Sequence, residues 1–149
     1  MNTDPHALVL DNRRIVQALE RRADAALAPA GLTAAQGHVL LHILKQGEAG
    51  TSLTAIHRRF GTSMATLSGI LKCLRRDGYV QAVPCPGDER RKLLFGTEKA
   101  RQLQPFLART LEGGNRRLYR DFSEEELRTL ARLQQKMLSN LNVSDSKTC

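Results

Sequence analysis

The stretch Thr51–Gly78 reads TSLTAIHRRFGTSMATLSGILKCLRRDG and contains two segments of helical periodicity on either side of a glycine. In the first segment, Ile56 and Phe60 recur at helical spacing, so both are predicted to face inward. The second segment starts at Ser63, which suits an N-cap, and ends before Gly78, which suits the residue after a helix. Because only about three residues separate the two segments, the stretch predicts a helix-turn-helix.

The periodicity changes directly after this stretch. YVQAV at 79–83 and KLLFG at 92–96 are short β-prone runs. PCPGDERR at 84–91 holds two prolines and a glycine, so it is predicted to be the turn of a β-hairpin with a basic tip, a wing. Because side chains alternate along a strand, Arg90 and Lys92 are expected to share a face that Arg91 does not.

Long helical patterns flank this region, at 5–28, from Thr97 to Leu118 and after Ser123. Gly113-Gly114 interrupts the second pattern and is expected to bend or loosen that helix. Ser123 with Glu126 fits a capping box at the start of the third. The apolar stripes of these helices exceed what one thin chain can bury, so two chains crossing at them are expected to form a homodimer.

The fold class that follows is mainly α with a small β-hairpin wing, that is, a winged helix-turn-helix with long N- and C-terminal dimerisation helices. The expected division is a helical dimerisation region at 1–32 and 98–142, a winged helix-turn-helix DNA-binding region at 33–97, and a flexible tail at 143–149.

Charge is concentrated in the same central region. The chain has 149 residues, about one domain, with 23 Lys+Arg against 15 Asp+Glu and a net charge of +8. From Thr51 to Arg101 there are ten Lys/Arg and four Asp/Glu, a net of +6 in one third of the chain. This excess predicts a polyanionic partner, either nucleic acid or an anionic membrane surface.

Several classes of protein receive no support from the sequence. The N-terminus has no basic start and only a short apolar run, and no window is long enough for a membrane span. Cys73, Cys85 and Cys149 form no C-x-x-C pair, so we expect neither a disulfide framework nor a zinc knuckle, and a cytoplasmic location. No catalytic motif or cofactor-binding loop is present, so we expect neither an enzyme nor a cofactor.

Three stretches in this order resemble the MarR family of winged helix-turn-helix transcriptional regulators, over roughly residues 6–142. They are LTAAQGHVLLHI, TSMATLSGILKCLRRDGYV, and DERRKLLFGTEKA, where Asp88-x-Arg90 stands in the position of the family's acidic-x-arginine signature. The resemblance implies a homodimer that binds double-stranded DNA at a palindromic operator, with the recognition helix in the major groove and the wing arginine in the minor groove. It also implies a repressor released by a small aromatic or phenolic ligand bound between the two lobes.

Candidate DNA contacts lie on the recognition helix and the wing. Short hydroxyl side chains can approach base edges or phosphates, a methionine can touch a thymine methyl, and arginine suits a narrow minor groove. Asp88 is expected to hold an arginine through a charge-assisted hydrogen bond. The predicted DNA-binding residues are Ser63, Met64, Thr66, Ser68, Lys72, Arg90, Arg91 and Lys92.

The sequence departs from the family pattern at two positions. Gly69 stands where an arginine is usual on the DNA-facing side, and His57 stands where a small alanine is common, against the recognition helix. Lys72 stands at a position that is usually acidic in the family, so its positive charge is a candidate to compensate for the missing arginine.

His38 and His42 are spaced i, i+4 on one helix, but no third ligand lies beside them in that helix, so no metal site is predicted. The resemblance puts this helix beside the ligand pocket, which makes both histidines candidate effector contacts. Three alternatives remain open: a thiol-redox regulator acting through Cys73 or Cys85, a zinc-responsive regulator, and a winged-helix module that binds protein.

Overall fold

A computed structural model describes residues 1–143; Cys149 and the rest of the predicted tail from 144 onward lie outside the described residues. The mainly helical fold with one antiparallel hairpin is the predicted winged helix-turn-helix. Short 3-10 turns follow α1 and α2, at Ala28–Ala30 and Gly47–Ala49. The elements are α1 (Pro5–Leu27), α2 (Ala34–Lys45), α3 (Leu53–Phe60), α4 (Met64–Arg76), β1 (Val80–Cys85), β2 (Asp88–Gly96), α5 (Glu98–Leu118) and α6 (Glu124–Asn140).

Local capping explains where the helices begin. The Ser63 side chain accepts a hydrogen bond from the Thr66 N–H, which confirms the predicted N-cap of α4. Ser123 and Glu126 form the predicted capping box of α6, with both reciprocal hydrogen bonds present. Gly78, just past α4, has a φ of +80°, the left-handed conformation that favours glycine at a helix end.

The aliphatic core is centred on α2, which packs against α1, α4 and α5. Leu27, Leu40, Ile43, Ile56, Leu67, Leu74 and Leu107 are its fully buried side chains. At Gly37 the helices approach so closely that a Cβ would lie 2.5 Å from Cδ1 of Leu27. This close approach packs α1 against α2, and α2 in turn packs against α4 of the helix-turn-helix.

The hairpin turn is shorter than predicted. Only Pro86 and Gly87 separate the strands, so the expected turn at 84–91 is wrong at both ends. Regular antiparallel pairing runs from Val80↔Gly96 to Pro84↔Lys92, and the next pair is Cys85↔Asp88, which leaves three extra residues on β2. β2 also pairs with Thr51 at Leu94, but Pro84 and the bulge lie at the turn end of the two-stranded sheet, where both can be accommodated.

One packing prediction, that Phe60 faces inward, is wrong. α5 is a single helix that runs through Gly113 and Gly114, so the glycine pair does not end it. Glycine lowers helix propensity by only about 1 kcal/mol, which the packing of α5 on α1 and α2 can outweigh. Phe60 is 38% exposed, because it ends α3 at the rim of the core, where its ring packs edge-on against His42 at 5.4 Å between centroids.

The last helix lies apart from this core. No residue of α6 is buried. Its exposed apolar residues are Leu127, Leu133, Met137 and Leu138, and the C-cap residue Leu141 is exposed as well. Within residues 1–143, no single helix is both long and apolar enough to span a membrane; α1 with its turn and α2 meet that test only jointly, bent by 77°.

Candidate nucleic-acid interface

The helix-turn-helix is built from α3, a three-residue turn and α4. Gly61 adopts a left-handed φ of +69° and donates its N–H to the carbonyl of His57 at 2.9 Å, which ends α3. α4 then buries Leu67, Leu71 and Leu74 against the core. The opposite side of α4, including Met64, Ser68 and Gly69, is exposed.

A groove of about 860 Å³ separates α4 from the wing. Its charged lining residues are all basic, and no Asp or Glu among residues 1–143 lines it. The basic residues are Lys72, Arg75 and Arg76 from α4, and Arg90, Arg91 and Lys92 from β2. Two structural elements therefore present six cations to one concave surface, which we call the basic groove.

Six of the eight predicted DNA-binding residues line the basic groove: Met64, Ser68, Lys72, Arg90, Arg91 and Lys92. Ser63 and Thr66 lie instead at the N-terminus of α4, where their hydroxyls are hydrogen-bonded to each other at 2.9 Å. Arg75 and Arg76 line the groove although they are outside the predicted set. The sequence could have predicted their position, because they follow Lys72 by three and four residues and so share its side of the helix.

The wing does not separate its three basic residues as strand alternation predicted. The register shift after Pro84 interrupts the regular pleat, and Arg90, Arg91 and Lys92 all border the groove. The expected segregation of Arg91 is therefore wrong, because alternation holds only within a regular ladder.

Asp88 contacts Arg90 through the main chain. Its Oδ1 accepts a hydrogen bond from the backbone N–H of Arg90 at 3.1 Å. This local side-chain-to-backbone bond is typical of Asp in turns and bulges. It fixes the backbone from which the Arg90 side chain projects.

A second cavity, of about 400 Å³, lies between α1, α2 and α5. Its polar side chains are His38, Arg22, Arg117, Thr110 and Asn115, and its apolar part includes Leu19, Ala23 and Leu111. Burial lowers the pKa of His38, while the nearby charge of Glu20 opposes that shift. Gly113 and Gly114 also line this cavity, so the glycine pair keeps one side of it open.

His42 lies elsewhere. It packs against Phe60 and does not line the cavity, so the expectation that both histidines share one pocket is not met. Residues i and i+4 differ by about 40° around a helix, which is enough to put them against different neighbours. Burial, and next the positive charge of Arg59, lower the pKa of His42.

Within residues 1–143, no group of three or more His, Cys, Asp or Glu side chains could hold a metal ion.

Cys73 is half-buried on α4, and Cys85 is buried at the end of β1, not in the turn as expected. Cys149 lies outside the described residues.

The fold and the basic groove define a winged helix-turn-helix protein. Residues 30–91 match the model of the MarR family. None of the curated proteins compared with the chain matches it.

Solved structures agree with this fold over nearly the whole chain. A putative MarR-family regulator from Listeria monocytogenes, solved with a 26mer DNA, is 22% identical with a TM-score of 0.82 and 100% coverage of both chains. MepR of S. aureus, solved as a DNA complex, is 24% identical with a TM-score of 0.79, over 93% of this chain and 99% of that one. A SlyA-like regulator from Listeria monocytogenes is 23% identical with a TM-score of 0.78, over 95% and 90% of the two chains.

Proposed function

We propose that this protein is a MarR-family transcriptional regulator, a homodimer that binds a palindromic double-stranded DNA operator and acts as a repressor released by a small aromatic or phenolic ligand. The observation that carries the DNA-binding part is the basic groove, where a helix and a wing present six cations and, within the described part of the chain, no acidic residue. Phosphates supply most of the affinity for such a surface. Two related proteins of the same fold were solved with DNA, which supports the same partner class.

In the proposed complex, α4 enters the major groove and the wing follows the backbone into the adjacent minor groove. Ser63, Met64, Thr66 and Ser68 approach base edges or nearby phosphates. Arg90 enters the minor groove, and Lys72, Arg91 and Lys92 neutralise phosphates. Arg75 and Arg76 extend the phosphate contacts at the far end of α4.

A homodimer is supported by the apolar surface that the terminal helices leave uncovered. No residue of α6 is buried, and Leu8, Val9, Ile15 and Val16 of α1 are exposed. A second copy that covers these faces would make 1–32 and 98–142 the dimerisation region and hold two winged helix-turn-helix units at 33–97 at a fixed spacing.

Salt dependence tests the DNA-binding proposal. Wild-type protein should bind duplex DNA more weakly as salt rises, and Lys92→Ala should lower the slope of log K against log salt by about one. Lys136→Ala is the matched control, because Lys136 is a lysine on α6, remote in sequence from the groove. An affinity for duplex DNA that does not change with salt concentration would contradict the proposal.

The cavity between α1, α2 and α5 supports the effector part. Its apolar side chains suit an aromatic ring, and Arg22, Arg117 and His38 suit a carboxylate or phenolate. The test is release of bound DNA by a panel of phenols and aromatic carboxylates. Arg22→Ala should raise the concentration needed for release, and Arg14→Ala, an exposed arginine of the same helix that does not line the cavity, should leave it unchanged. No release by any compound of either class would contradict this effector chemistry.

A further inference from the structure

We propose that His57 is a positioning residue for DNA binding: its imidazole fixes the turn between α3 and α4 and thereby the orientation of the recognition helix. This inference rests on the proposed DNA-binding function. Nδ1 of His57 lies 2.6 Å from the carbonyl oxygen of Thr62. Because a carbonyl oxygen can only accept, Nδ1 carries the proton and donates.

His57 holds the turn at two points. Its own carbonyl accepts the N–H of Gly61 at 2.9 Å, and its side chain donates to the carbonyl of Thr62. Thr62 directly precedes Ser63, the N-cap of α4, whose carbonyl accepts the N–H of Leu67 at 3.0 Å. The side-chain bond therefore ends one residue before the N-cap of the recognition helix.

The turn itself is supported by little packing. Gly61 faces open space, since a Cβ built there would meet no atom within 4 Å, and Gly61 and Ser63 are exposed. A turn without packed neighbours depends on its hydrogen bonds for a defined geometry. His57 is half-buried, so its bond is partly protected from competing water.

Two substitutions separate the roles of the ring nitrogens. Asparagine places its amide nitrogen close to the position of Nδ1, whereas glutamine places its amide nitrogen close to the position of Nε2. His57→Ala and His57→Gln should each weaken operator binding by roughly five- to tenfold, the effect of one lost hydrogen bond. His57→Asn should recover most of that loss. The salt slope should stay at the wild-type value in all three variants, because no phosphate contact is removed.

A second readout does not involve DNA. The imidazole ¹⁵N spectrum of the free protein should show the Nδ1–H form for His57, and thermal melting should show that all variants are folded. The Nε2–H tautomer would overturn the proposal whether or not DNA binds. Rescue by glutamine and not by asparagine would also overturn it and would point to a direct contact through Nε2. Wild-type affinity in His57→Ala would show that the bond does not orient the helix.

If the wild-type protein binds no duplex at low salt, the proposed function fails and the positioning role for DNA binding fails with it. The ¹⁵N spectrum then still reports whether the bond between His57 and Thr62 exists.

Discussion

The carboxylate of Asp88 and the backbone N–H of Arg90 are joined by a hydrogen bond of 3.1 Å, so the acid before the wing arginine holds that arginine's main chain. An asparagine can accept the same bond, whereas an alanine cannot. We therefore predict that Asp88→Ala weakens DNA binding about fivefold, the effect of one hydrogen bond, and that Asp88→Asn stays close to wild type. Fluorescence anisotropy with a labelled operator measures both. Equal losses in the two variants would mean that the negative charge, and not the acceptor, is what the wing requires.

Gly69 is exposed in the middle of α4, and a Cβ there would meet nothing within 4 Å. Gly69→Ala should raise the free energy of unfolding by about 0.5–1 kcal/mol, because glycine loses more backbone entropy in a helix than alanine does. Gly61→Ala is the contrasting control. It should lower stability by about 1 kcal/mol, since Gly61 has a φ of +69°. Urea denaturation measures both, and a loss of stability in Gly69→Ala would contradict the account of α4.

The two half-buried histidines, His38 and His42, predict a pH dependence of stability. Burial lowers the pKa values of His38 and His42 in the folded protein below the ordinary value of about 6.5. The unfolded chain therefore binds more protons than the folded protein just below about pH 6.5. The contribution of these histidines to the free energy of unfolding is complete above that pH and is lost as the pH is lowered.

Urea midpoints at about pH 7.5 and about pH 5.5, at one protein concentration, measure this loss. Replacing His38 and His42 together by glutamine should make the difference between the two midpoints smaller. His6→Gln, at an exposed position in the first turn of α1, serves as the control. A double variant with the wild-type difference would assign the dependence to other groups.

The uncovered face of α6 predicts the effect of a charge at the dimer interface. Leu133 is 42% exposed in the single chain, and in the proposed dimer it is covered by the second copy. Leu133→Glu should shift the protein from dimer to monomer, because a buried unpaired carboxylate is strongly unfavourable. Arg132→Glu is the control, because Arg132 precedes Leu133 in the sequence and lies on the charged side of α6. The Arg132→Glu protein should remain dimeric. Sedimentation velocity distinguishes the two outcomes, and a monomeric wild type would contradict the proposed assembly.

Local signals made the recognition helix predictable. Ser63 and Gly78 mark its two ends through capping, which depends on residues close in sequence. The wing was harder, because hairpin turn length depends on cross-strand pairing. β1 continues through Pro84 and Cys85, and β2 begins already at Asp88. No propensity of these residues taken singly indicates strand structure there.

The cavity between α1, α2 and α5, the proposed effector site, was harder still to predict from the sequence. Arg22, His38 and Arg117 come from three different helices, and only the packing of α1, α2 and α5 brings them to one cavity. The i, i+4 spacing of His38 and His42 indicated a common face, yet His42 packs against Phe60 instead. Spacing within one helix could not reveal which neighbouring element each histidine would meet.

Selection of binding sites from random duplex DNA with the purified protein tests the central proposal most directly. The account predicts enrichment of a palindrome whose half-sites lie about one helical turn apart, roughly 10 base pairs between centres. Binding to the enriched site should weaken as salt rises and should drop in Arg90→Ala. A selection that enriches no sequence, from a protein that binds no duplex even at low salt, would contradict it.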